Sequence, residues 1–295
     1  MIIGANDRAA VIENIRLAAE SGDFYQKAEL NDPVLSESEK SAVTSSYIKN
    51  RGRFSFRLKS FIARGMADVA TAFVNYDTVI CGGEKLKPLK GVGAVITSNH
   101  FSPFENTAVR KLVNNTCKGR LDIVSQAENF RMPGVIGFLM NYADTVPITD
   151  DREYLQHEFP EVLKEKLSRG DKVLIYPEQE MWFNYRKPRP GKRGAYYYAA
   201  KLNAPVISCF VEMRNKPKKD TDDFYKVQYV MHVLGVLWPD KEKTARENSV
   251  EMLKKDNDLK RAAYERAYGK PLDYGFDADD IAGLVSYPLT GSDKK

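Results

Sequence analysis

From residue 77 the chain alternates short apolar runs with longer amphipathic stretches. The runs are DTVIC, GAVITS, LDIVSQ, DTVPI, KVLIYP and APVISCFV, and helical signals fall between them at 104–114, 134–142, 150–168 and 193–202. Few architectures accept that order. Strands this apolar must be covered on both faces, and helices acting as crossover connections supply the cover, so the pattern predicts an α/β sheet flanked by helices. The later run KVQYVMHVLGVLW, rich in β-branched and aromatic residues, predicts a further strand, followed by a charged helix from about 241 to 269. The polar stretch NKPKKDTDD at 215–223 reads as a surface loop, and the closing GSDKK as a frayed tail. With 295 residues and 43% hydrophobic content, the chain can bury one large core.

Before residue 76 the texture is helical. Residues 8–30 and 36–50 carry helix signals, among them the capping sequence SESE at 36–39. The next stretch, RGRFSFRLKSFIARGMADVATAFVNY, repeats Leu58, Phe61, Ile62, Met66, Val69 and Phe73 at three- and four-residue spacing. Arg51, Arg53, Arg57, Lys59 and Arg64 cluster at its start. This is a basic amphipathic helix, which either docks on its own domain or also touches lipid headgroups. Residues 1–75 therefore read as an N-terminal helical extension, and 76–295 as the α/β domain.

A formal charge of +5 gives little support to nucleic-acid binding but suits an anionic membrane surface or acidic ligands. Cys81, Cys117 and Cys209 match neither a disulfide framework nor a metal-ligand spacing, and their odd number suits a reducing, cytoplasmic compartment. The N-terminus becomes charged before a signal-peptide core forms, and no apolar run approaches the ~20 residues that span a bilayer. Membrane contact is thus expected to be peripheral, on the inner face. His157 and His232 have no second His or Cys at ligand spacing, so no metal is expected. There is no GxSxG elbow and no phosphate-loop or dinucleotide fingerprint, and Gly82-Gly83 reads as a turn.

The run GAVITS leads directly into NHFSPFEN, which puts Asn99 and His100 at the exit of a buried strand, where ligand and catalytic groups collect. If Pro103 opens the following helix, Glu105 lies in its first turn, close enough to fold back onto His100. A carboxylate fixes one imidazole tautomer and leaves the other nitrogen to take a proton from a hydroxyl. The alternative is a structural histidine satisfied by a neighbouring acid.

NHFSPFEN resembles the His-four residues-acid motif, NHxSxxD, of the glycerolipid and lysophospholipid acyltransferase family. KVLIYPEQEMW resembles that family's strand-ending FPEGTRS block, GKRGAYYYAAKLNAPVISCFVEM its Gly-Ala helix and VPIVPV strand, and NFRMPGVIGFLMNYADTVPITD the block between. Order and spacing match over about residues 76–212. The resemblance implies a central mixed sheet flanked by helices, as in glycerol-3-phosphate acyltransferase. It also implies transfer of a fatty acyl group from an acyl-CoA or acyl carrier protein thioester to a hydroxyl of a lysophospholipid or related lipid acceptor. It implies as well that no cofactor, metal or acyl-enzyme takes part, and that the default acceptor is a 1-acylglycerol-3-phosphate. His100 would be the general base and Glu105 its orienting partner, with Asn99, Ser102, Glu178, Gln179, Lys192 and Arg193 at the substrates.

Three departures qualify this likeness. Glu105 stands where Asp is usual, as in lipid A acyltransferases. PITDD places Asp150, with Arg152 beyond it, where the family has a phosphate-binding arginine. Gln179, Glu180 and Met181 replace Gly, Thr and a second such arginine. Replacement cations are at hand in YRKPRPGKRGAYYY, where Arg186, Lys187, Arg189, Lys192 and Arg193 form a solvated loop, an acceptor anion site or a site for the phosphates of CoA. The altered blocks keep open a second class of function: a catalytically weak lipid-binding or regulatory member of the same fold.

Overall fold

The computed structural model describes residues 8–30, 33–117 and 119–285. Its helices are α1 (Arg8–Ser21), α2 (Glu37–Asn50), α3 (Phe54–Val74), α4 (Asn106–Thr116), α5 (Gly134–Tyr142), α6 (Arg152–Gln156), α7 (Glu158–Ser168), α8 (Gly194–Lys201) and α9 (Ala245–Tyr268). Seven strands, β1 (Val79–Cys81), β2 (Ala94–Thr97), β3 (Leu121–Gln126), β4 (Thr145–Ile148), β5 (Lys172–Leu174), β6 (Val206–Lys219) and β7 (Tyr225–Leu237), form one mixed sheet. The strand order is β1-β7-β6-β2-β5-β3-β4. All pairs are parallel except β6 with β7, a hairpin that reverses direction near one edge.

β2 is central, and all four of its residues are buried. Side chains alternate across a strand. Ala94 and Ile96 join a core with Val109, Leu112 and Val113 of α4, while Val95 faces Tyr196 and Ala199 of α8 and Met252 of α9. Farther along the sheet, Val124, Val146 and Val173 meet Phe159, Val162 and Leu163 of α7 and Tyr47 of α2. The stripe Val11, Ile12, Ile15, Ala18 and Ala19 lays α1 on Trp182, Tyr185, Phe224 and Ile281.

Local chemistry sets the boundaries. The first helix is shorter than the expected 8–30 because Gly22 turns left-handed at φ 73°. Residues 23–30 then cross as an irregular strap, with the Trp182 indole donating to the Gln26 carbonyl at 2.9 Å. The predicted capping box forms between Ser36 and Glu39, and a second one, Thr244 with Glu247, opens α9, which Gly269 closes at φ 67°. The single helix expected over 150–168 is two, broken at His157. Pro160 fits only the first turn of a helix, so no helix runs through it from Arg152. Nor is 215–223 one loop: Asn215–Lys219 continue β6, with Asn215 opposite Val227 and Lys219 opposite Tyr225. Lys216, Lys218 and Lys219 sit on a two-stranded ribbon projecting into solvent, where polarity does not distinguish strand from loop. The closing GSDKK lies outside the described residues.

The basic amphipathic helix forms as α3, but its apolar stripe faces outward. Phe61 is 71% exposed, Val69 71% and Phe73 84%, and Leu58, Ile62 and Met66 are exposed as well. Ser60, Ala63 and Thr71 are the buried positions, turned toward α4 and α5. Polar contacts hold that side: Arg64 Nε donates to Asp144 at 2.8 Å, and Asn75, just past the helix, donates to Thr107 Oγ1 of α4 at 2.6 Å. The hydrophobic stripe is therefore not what packs α3 onto its own domain. No helix among the described residues is long and apolar enough to cross a membrane.

Candidate active site

β2 and β5 are parallel neighbours, so the loops leaving their C-terminal ends emerge side by side. The loop after β2 begins with buried Ser98 and Asn99. The Asn99 amide accepts from Val211 N at 2.8 Å and donates to Val211 O at 3.1 Å, which ties the turn to β6. His100 follows, its side chain 21% exposed. Pro103 does not open the helix as expected. It sits in the turn Ser102–Glu105, closed by Glu105 N to Ser102 O at 3.2 Å, and α4 starts at Asn106 with Glu105 as N-cap residue.

The Glu105 side chain turns away from its own helix and back into the loop. One oxygen accepts from Phe101 N and, at 2.6 Å, from Ser102 N, while the other is hydrogen-bonded to His100 Nδ1. Glu105 is only 2% exposed, so its charge depends on these donors. Nδ1 is thereby engaged, and Nε2 has no protein partner among the described residues. Tyr176, just beyond β5, stacks flat on the imidazole, with centroids 4.1 Å apart and planes 6° from parallel. Burial, reinforced by Glu105, pushes the Tyr176 phenol well above its ordinary pKa.

The backbone of His100 is held from the second loop. His100 N donates to Glu178 Oε2 at 3.2 Å, and Trp182 N donates to His100 O at 3.1 Å. Glu178 is itself paired with Arg189: Arg189 N reaches Oε1 at 3.0 Å and Arg189 Nε reaches Oε2 at 3.2 Å. Burial raises the Glu178 carboxyl above its ordinary range, opposed by Arg189 and Lys260. Arg189 also donates to Phe24 O at 2.8 Å and lies 4.4 Å over the Trp182 ring, so the strap before α2 is locked onto this loop. Beneath, Asp256 of α9 accepts from Thr97 Oγ1 at 2.8 Å, Lys260 Nζ at 2.9 Å and the Tyr196 hydroxyl.

Residues 79–212, which hold both loops, match the family described as Acyltransferase. Over this stretch the chain is similar to acyltransferases. The fold of the whole chain agrees. The crystal structure of the 1-acyl-sn-glycerophosphate (LPA) acyltransferase PlsC from Thermotoga maritima superposes with a TM-score of 0.52, over 89% of this chain and 99% of that one, at 16% identity. No curated protein sequence is detectably similar.

Within this stretch, the structure gathers His100, Glu105, Asn99, Ser102 and Glu178 in one place. Ser102 Oγ accepts from Phe104 N at 3.3 Å and so braces the turn. Gln179 is exposed and left-handed at φ 65°, a conformation that glycine adopts without strain. The basic run divides. Arg186 pairs with Asp279 at 2.7 Å, Lys187 with buried Asp280 at 2.7 Å and Arg189 with Glu178 at 3.1 Å, all three arginine and lysine residues being buried. Neither a solvated loop nor an anion site describes those three. Lys192 and Arg193 are exposed, Lys192 Nζ lying 4.3 Å above the Tyr25 ring. Asp150 is exposed, 3.5 Å from Lys40 Nζ, and Glu180 accepts from Gln126 Nε2 at 3.0 Å. Sequence reasoning missed Tyr176, whose one signal is an aromatic before Pro177-Glu178, and the Asp256–Lys260 pair, which reads as an ordinary i,i+4 surface pair. Among the described residues, no cluster of three or more His, Cys, Asp or Glu side chains is placed to hold a metal.

Proposed function

We propose that the domain transfers a fatty acyl group from an acyl-CoA or acyl carrier protein thioester to a hydroxyl of a lysophospholipid or related lipid acceptor. The observation that carries this reading is the His100–Glu105 pair at the exit of β2, with Nδ1 engaged and Nε2 open. In this mechanism Nε2 takes the acceptor's hydroxyl proton while Glu105 balances the imidazolium charge. The alkoxide attacks the thioester carbonyl, the tetrahedral adduct expels thiolate, and the imidazolium returns the proton to it. Tyr176 keeps the ring flat, and Glu178 keeps the His100 backbone in place. Neither needs to touch substrate.

Two further features shape the proposal. The outward apolar stripe of α3, with Arg53 and Arg57 exposed beside it, suits a peripheral membrane surface. Because Asn75 ties the end of α3 to Thr107, and Thr107 bonds to Phe104 O at 2.5 Å, the stripe leads toward the loop that bears Glu105. Second, with Arg186, Lys187 and Arg189 held in buried pairs, the basic run leaves only Lys192 and Arg193 exposed toward a phosphomonoester, which must be desolvated against fixed opposite charge. The preferred acceptor is therefore neutral, zwitterionic or sugar-bearing. The test is kcat/KM with acyl-CoA and acyl carrier protein donors for lysophosphatidate, lysophosphatidylcholine, a lysoglycolipid and a monoacylglycerol, in wild type and K192A/R193A. A strong lysophosphatidate preference in wild type contradicts the acceptor assignment, and its loss in the double variant would make Lys192 and Arg193 the phosphate clamp. Lipid binding without turnover on any pair favours the regulatory reading.

A further inference from the structure

Away from His100, α2, the first turns of α3, the end of α5 and the 3₁₀ turn Ala127–Arg131 enclose a cleft of about 300 Å³. Its lining includes Lys59, Arg131, Asn50, Ser55, Phe56 and Tyr142. Lys59 and Arg131 are both exposed, and among the described residues neither forms an ion pair with a carboxylate. Lys59 Nζ instead lies 3.4 Å from the Tyr142 hydroxyl and 5.1 Å over that ring. The carboxylate that feels Arg131, Glu39, is engaged in the capping box of α2. Two unmatched cations converging with hydroxyl and amide groups in a cleft form a site for an anion with polar substituents.

The position of the cleft narrows the ligand. Ser55, Phe56 and Lys59 belong to the same turns of α3 as Phe54, 81% exposed, and Leu58, 51% exposed. A molecule in the cleft would thus have its polar part between Lys59 and Arg131 while the adjoining helix face offers apolar surface. We propose that the cleft binds the phosphate-bearing headgroup of an anionic membrane phospholipid, fixing how the domain sits on the bilayer. This rests on the membrane part of the proposed function. The same phosphate chemistry occurs in free coenzyme A, so the test separates the two sources.

Binding of the full chain to phosphatidylcholine vesicles with and without phosphatidylglycerol is compared for wild type, K59Q/R131Q and R53Q/R57Q, alongside titration with coenzyme A. Both double variants remove two positive charges from exposed positions, so each weakens diffuse attraction to the anionic surface equally. Only K59Q/R131Q also loses charge-assisted hydrogen bonds in the cleft, and it should lose about tenfold more affinity for phosphatidylglycerol vesicles than R53Q/R57Q. Binding to pure phosphatidylcholine should change little. Equal losses in the two variants overturn the cleft while leaving membrane docking intact. Absence of wild-type binding to either vesicle overturns both. Loss of coenzyme A binding in K59Q/R131Q, with unchanged vesicle binding, overturns the lipid assignment.

Discussion

Replacing Glu105 by Gln changes almost no volume yet should disable the pair, for a reason legible in the hydrogen bonds. One carboxylate oxygen of Glu105 serves two backbone donors, Phe101 N and Ser102 N, and the other faces His100 Nδ1. An amide has a single acceptor oxygen. At 2% exposure no water replaces the missing acceptor, so that oxygen must stay with the two backbone N–H groups, and the NH2 group is turned toward Nδ1. Nδ1 then becomes an acceptor, the ring proton moves to Nε2, and the nitrogen meant to take the hydroxyl proton already carries one. Loss of general-base catalysis of this kind corresponds to about 10²- to 10⁴-fold in kcat. The backbone donors keep their partner, so stability should fall by no more than about 1–3 kcal/mol. Steady-state kinetics with an acyl thioester and a lysolipid, beside urea unfolding, measures both. Glu105→Asp is the informative control: a side chain about 1.5 Å shorter cannot reach the ring and both N–H groups together, so intermediate activity is expected. Wild-type kcat in a folded E105Q protein would refute the reasoning.

Arg189→Met leaves Glu178 at 2% exposure without its countercharge and should cost about 3–5 kcal/mol in urea unfolding, part of which E178Q/R189M recovers. No loss in the single variant would mean that the pair is structurally idle. On α3, F61S/V69S/F73S should change stability by about 0.5 kcal/mol or less per site, because those side chains are exposed, while abolishing vesicle binding. Ala63→Leu, at a fully buried position, should cost about 1–3 kcal/mol, and a reversed pattern would show that the helix faces have been misassigned. Asp122, beside Lys166, is pushed up by burial from 3.8 to about 6. The folded state therefore holds that proton more tightly than the unfolded state does. Its contribution is complete below about pH 4 and is lost as pH rises through about 6, amounting to ~3 kcal/mol. Unfolding of wild type and D122N across that range should show wild type losing ground to the variant, and a pH-independent difference would contradict the shift.

The strands were legible because each is an apolar run long enough for one pass through a buried sheet, as Ala94–Thr97 shows by being buried throughout. The His100–Glu105 contact was legible because both residues lie in one turn. What failed to show were long-range facts. Periodicity marks the stripe on α3 but is symmetric about the helix axis, and does not say that Ala63 and Ser60 are the docking side. The cations Arg186 and Lys187 read as free because their carboxylates, Asp279 and Asp280, lie more than 90 residues away. Tyr176 meets His100 only because β2 and β5 are neighbours, a pairing no local pattern encodes.

The central claim is that the open nitrogen of His100 takes the proton of a lipid hydroxyl during acyl transfer. The most direct measurement is product formation by the purified protein from an acyl thioester and a lysolipid, identified by mass spectrometry, in wild type and His100→Ala. The imidazole is part-exposed, so its removal leaves the core of Phe101, Ile96 and Val109 in place. Diacylated product from wild type, and none from a His100→Ala protein that still unfolds cooperatively, is the predicted result. Equal turnover by the two proteins would contradict it.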